Sequence, residues 1–158
     1  MPEERSTVHS TFSIERTYND VSPARVFAAW SDPKARLQWE AIGEGFTSTF
    51  TENDFCVGGR DVSRFRFEEG SEYVADARYE DIVPDCRIVY VYTMSHNEKR
   101  ISSSLTTVSM MPVEKGTHVV LTEQITILDG GDKVEYRQSG ISAQLDQLGE
   151  FLARQMVN

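Results

Sequence analysis

Residues 117–152 read THVVLTEQITIL, then DGGD, then KVEYRQSGISAQLDQLGEFL. In the first part, alternation sets Val119, Leu121, Glu123, Ile125 and Ile127 on one face and His118, Val120, Thr122, Gln124 and Thr126 on the other. That is the period of a strand with one buried side. Asp129-Gly130-Gly131-Asp132 breaks the strand, and Val134, Ile141, Leu145, Leu148 and Leu152 then recur at steps of seven, four, three and four. Such steps give one apolar face of an amphipathic helix, expected over about 134–154. A strand with one buried face, running directly into a helix with one apolar stripe, predicts that the helix lies across the sheet.

Upstream, strand-like runs fall near 46–54, 60–68, 72–82, 87–94 and 101–111. Gly58-Gly59, Glu69-Gly70-Ser71, Pro84-Asp85, Ser95 to Lys99 and Glu114-Lys115-Gly116 punctuate them at the spacing of antiparallel strands. Before these, residues 12–18 (FSIERTY) alternate Phe12, Ile14 and Tyr18 in a first strand, behind a tail at 1–10. Ser22-Pro23 and Asp32-Pro33 each place a capping side chain before a proline, so two short helices carrying Val26, Phe27, Trp30, Leu37 and Trp39 follow. The expectation is a single α+β domain over 1–158, a curved antiparallel sheet wrapped around one long C-terminal helix. Where the sheet is wider than the helix side chains can fill, a cavity remains.

The chain has 158 residues, 39% hydrophobic and 26% charged, a composition able to bury a core. Its 16 Lys and Arg against 25 Asp and Glu give a net charge of -9, which repels phosphate backbones and anionic lipids. Neither nucleic acid nor membrane is expected as a partner; a homodimer stays open. Cys56 and Cys86 have no metal-ligand spacing and too little company for a disulfide framework. Residues 1–7 lack the basic segment and apolar run of a signal peptide, so a cytoplasmic location is expected.

Glu123 is the candidate that chemistry singles out, a carboxylate sharing a face with four aliphatic residues. It either pairs with a cation, binds water or a ligand, or is kept protonated by desolvation, and the unpaired state is the expectation. Arg64 or Arg66 is a conceivable partner, although Arg60, Arg64 and Arg66 alternate with Asp61, Ser63, Phe65 and Phe67 in a way that usually marks a solvated edge. On the strand at 87–94, Tyr90, Tyr92 and Met94 share one face with Ile88. On the strand at 72–82, Tyr73, Ala75, Ala77 and Tyr79 alternate large with small, and the alanines leave room beneath the helix. Ser102, Ser104 and Thr106 add hydroxyls, and Trp30 and Trp39 either pack the core or gate a pocket. Scattered His9, His96 and His118 make no metal site, and neither a nucleophile elbow nor a phosphate loop is present.

The runs ERTYNDVSPARVFAAWSDPKARLQW, VGGRDVSRF, ARYEDIVPDCRIVYVYTM, ISSSLTTVSM, GTHVVLTEQITILDGGD and RQSGISAQLDQL resemble, in order and spacing, bacterial proteins of the SRPBCC (START-like, helix-grip) superfamily. They are most similar to the branch named after the activator of heat-shock protein 90 ATPase, also labelled polyketide-cyclase-like, over about residues 12–152. The resemblance implies a helix-grip domain with a hydrophobic cavity, with LTEQ at 121–124 lining it. It does not imply one activity.

The first expectation is a carrier or sensor for a small apolar or aromatic molecule, needing no cofactor and no metal. Glu123, Tyr90, Tyr92, Met94, Tyr73, Tyr79, Ser102, Ser104 and Trp39 are its candidate ligand-binding residues. The alternatives are a cyclase or isomerase using Glu123 as acid and base, with Tyr90 or Tyr92 orienting an oxygen, and a module that regulates a chaperone.

Overall fold

The computed structural model describes residues 5–40, 47–67 and 70–155; positions 1–4, 46, 68 and 69 of the expectations above lie outside them. Strand β1 (Thr7–Asn19) is followed by α1 (Pro23–Ser31) and α2 (Pro33–Trp39). Six strands come next: β2 (Thr47–Asn53), β3 (Arg60–Arg66), β4 (Glu72–Val83), β5 (Arg87–His96), β6 (Lys99–Val113) and β7 (Gly116–Leu128). Helix α3 (Val134–Gln155) closes the order. The first strand begins at Thr7, so residues 7–10 belong to the sheet and not to a tail. They pair with the end of β7 as far as Thr7 opposite Leu128, which gives this mostly polar stretch a backbone partner.

All seven strands form one antiparallel sheet in the order β1-β7-β6-β5-β4-β3-β2. Its inner face takes α3 and the α1–α2 pair. The two capping signals act as expected: Ser22 Oγ accepts from the Arg25 N–H at 3.3 Å and Asp32 Oδ1 from the Lys34 N–H at 3.0 Å. Asp32 ends α1 and starts α2, so the two helices meet at an abrupt corner.

Three register shifts mark extra residues in the ladders: Thr51 in β2, Glu80 in β4 and Ile101 in β6. Each bulge bends its strand and raises the local twist, which curls the sheet around the helix. The core fills the β1–β7–β6 side, where Phe12, Ile14, Val108, Val119, Leu121, Leu145, Leu148 and Leu152 are buried together. Gly149 permits a close approach there, because a Cβ at this position would meet the Tyr18 ring at 3.1 Å. The Tyr18 hydroxyl donates to the Leu145 carbonyl at 2.7 Å. Ile141, expected in the buried stripe, is only half-buried, because it faces the opening that the sheet leaves on its other side.

Candidate functional site

The β3–β4–β5 side of the inner face is not filled by α3. A cavity of about 510 Å³ lies there, between these strands, α2 and the first half of α3. Parity puts Tyr73, Ala75, Ala77 and Tyr79 of β4 and Tyr90, Tyr92 and Met94 of β5 on its wall. The alanines supply the room anticipated for them. Ala75 stands opposite Ser63 and Met94, and Ala77 opposite Asp61 and Tyr92, so the short side chains lie together on β3 and β4. Aromatic rings enclose the rest. Tyr73 stacks on Phe65 at 5.2 Å and 6° between ring planes, and Tyr90 meets Tyr79 edge-on at 6.1 Å.

Glu123 reaches the cavity from β7 but is only 1% exposed. The Tyr92 hydroxyl donates to its carboxylate at 2.8 Å, the Ser104 hydroxyl at 2.9 Å, and Arg137 Nη1 at 3.4 Å. The expectation of an unpaired Glu123 is therefore overturned by a cation from α3. Arg64 and Arg66, the conceivable partners on β3, point outward and bind Glu72 at the surface, as a solvated edge does. Arg137 is 8% exposed, and its five N–H donors make five hydrogen bonds, to Asp132 twice, Tyr92, Glu123 and Ser102. Burial alone would lower its pKa, but Tyr92, Glu123 and Asp132 outweigh that and hold it above the ordinary arginine value. Burial raises the Tyr92 phenol well above its usual range, so it stays a neutral donor.

A second cluster lies across the cavity on α2 and β3. Arg36 is held by Glu40 at 2.8 Å, an i,i+4 pair on α2, and by Asp61 of β3. Asp61 also accepts from the Tyr79 hydroxyl at 2.6 Å and from Asn53 at 3.0 Å. Glu40 and Asp61 outweigh the effect of burial and keep Arg36 firmly charged. The Arg36 guanidinium also sits 4.6 Å over the Phe50 ring.

Of the sequence-derived candidates, Glu123, Tyr90, Tyr92, Met94, Tyr73, Tyr79 and Trp39 line the cavity. Ser102 and Ser104 do not: both are buried behind the wall, where they hold Arg137 and Glu123. Trp39 and Trp30 pack against each other at 4.8 Å, and the Trp39 N–H donates to the Ala29 carbonyl. Both are buried in the core and border the cavity from α1 and α2. His118 binds Thr17 and Glu15 on the outer face, as parity requires. Among the described residues no group of His, Cys, Asp and Glu is arranged to hold a metal ion.

Arg137, Asp132, Arg36, Glu40 and Asp61 were not among the candidates. Arg137 had a signal: it fills the vacant position in the step of seven between Val134 and Ile141, four residues before the latter. Asp61 lay on the aromatic face of β3 in the alternation, which is the face that turns inward.

This architecture recurs in solved structures. A protein from Rhizobium leguminosarum is 40% identical with a TM-score of 0.87, over 96% of this chain and 99% of that one. The Mll3558 protein from Rhizobium loti is 43% identical with a TM-score of 0.82, over 92% of this chain and 99% of that one. The AHSA1-like protein from Aeromonas hydrophila, at 19% identity, shares the fold with a TM-score of 0.73 over 94% and 96% of the two chains. No curated protein matches the chain. No described helix is long and apolar enough to cross a membrane. The family model described as Activator of Hsp90 ATPase homolog 1-like protein matches residues 20–153, and with the sheet gripping α3 this places the chain in that family, within the SRPBCC superfamily.

Proposed function

We propose that the protein binds a small, largely aromatic molecule in the cavity between β3–β5 and α3, and acts as a carrier or sensor. The observation that carries this reading is the pairing of an open, ring-walled space of about 510 Å³ with a Glu123–Arg137 cluster whose hydrogen bonds are already made. Pockets of this size and lining suit compact apolar ligands. Turnover by a cyclase or isomerase would ask Glu123 to exchange a proton. Its oxygens are occupied by Tyr92, Ser104 and Arg137, which favours binding without chemistry.

The test is a thermal-shift screen of neutral two-ring aromatic compounds against wild type and Ala75→Phe. A ligand that binds only the native state adds about 2.7 kcal/mol at a hundred times its Kd. The expected result is a rise in Tm for wild type and none for Ala75→Phe, whose new ring occupies the middle of the cavity. A rise of equal size in both proteins, or in neither, counts against the reading.

A further inference from the structure

Among the described residues, the charged groups that line the cavity are two arginines, Arg36 and Arg137, against four carboxylates, Glu40, Asp61, Glu123 and Asp132. The formal balance is two excess negative charges. Both arginines are already ion-paired within the protein. Arg137 has spent every donor on protein acceptors, and Arg36 is clamped between Glu40 and Asp61. An anionic ligand would have to break one of these buried pairs, whereas a cation would relieve the excess.

One acceptor is left over. Asp61 is 3% exposed, yet only its Oδ2 is engaged, by Arg36, Tyr79 and Asn53; its Oδ1 accepts no hydrogen bond among the described residues. Ser63 follows two positions later on the same face of β3, is 9% exposed, and its hydroxyl has no hydrogen-bond partner among the described residues. Both face alanines directly across the ladder, Ala77 and Ala75, and the Tyr79 hydroxyl of β4 reaches Asp61 at Oδ2, not Oδ1. The Tyr90 ring beside Tyr79 also lines the cavity.

We propose that the cavity prefers aromatic molecules bearing one protonated amine, with the ammonium seated on Asp61 Oδ1 and the Ser63 hydroxyl, and that it disfavours aromatic carboxylates. This rests on the cavity being a binding site, and the experiment separates the two ideas. Naphthylmethylamine, naphthylmethanol and naphthoate present one ring system with a cationic, a neutral and an anionic head. Calorimetric titration of wild type at neutral pH should rank amine over alcohol by about tenfold, and alcohol over carboxylate. Asp61→Asn should bring amine and alcohol to within about twofold of each other, and Ser63→Ala should weaken the amine by a smaller factor. The serine variant keeps the Arg36 pairing intact and so guards against a poorly folded Asp61→Asn, whose circular dichroism is compared with wild type. Binding of the alcohol without a preference for the amine, or tighter binding of naphthoate, overturns the charge preference alone. Absence of binding by all three probes overturns both readings.

Discussion

Arg137 and Glu123 decide how the polar end of the cavity behaves, and their partners are unequal. Truncating Arg137 leaves Glu123 buried with two hydroxyl donors and no cation. Breaking a buried pair from one side typically costs 3–5 kcal/mol, so Arg137→Met is expected to destabilise by about that much in urea unfolding. Glu123→Gln should cost less, about 1–3 kcal/mol, because Arg137 keeps both contacts to Asp132 and its bond to Ser102. The reverse order of the two losses would mean that Asp132, and not Glu123, is the charge that matters. At this scale the sequence marked Glu123 through its aliphatic neighbours on one strand, but not its partner. That partner lies 14 residues away on another element, and which strand face meets which helix turn depends on how the chain packs.

Among the elements, α3 was readable because its apolar step pattern is long and ends in three leucines that the core buries completely. Leu145→Ala should cost about 2–5 kcal/mol by denaturant unfolding, since Leu145 is buried in the core even where it borders the inner end of the cavity. Ile141→Ala should cost only about 1 kcal/mol, because its side chain already borders open space and truncation adds to an existing cavity. Equal losses at the two positions would show that the cavity end of α3 is packed like the core end. The strand runs were likewise legible from turn residues, and β4 and β5 turned the expected faces inward. The bulges at Thr51, Glu80 and Ile101 were not, since an extra residue changes the alternation only locally. Nor was the start of β1: Thr7 to Thr11 are polar apart from an exposed Val8 and carry no one-sided buried pattern, and only pairing with β7 makes them strand.

For the whole molecule, four phenols link stability to pH. Burial raises Tyr18, Tyr79, Tyr90 and Tyr92 above the ordinary phenol value. A raised folded pKa contributes stability that is fully present below the unfolded value, about 10, and is lost as pH rises toward the folded one. Each phenol can remove about 1.4 kcal/mol per pH unit over that window. Alkaline unfolding should therefore be steep and should coincide with the tyrosinate absorbance of these residues. Gradual ionisation while circular dichroism stays native would show that the phenols are open to solvent.

That same enclosure underlies the central claim, that the ring-walled space is a binding site and not a packing defect. The most direct test is a two-dimensional amide and methyl NMR titration with naphthylmethanol. The predicted result is saturable shifts confined to Ala75, Ala77, Met94 and Ile141 and to the backbone of Tyr73 and Tyr90, abolished in Ala75→Phe. Shifts spread over the outer face of the sheet, or none at millimolar ligand, would contradict it.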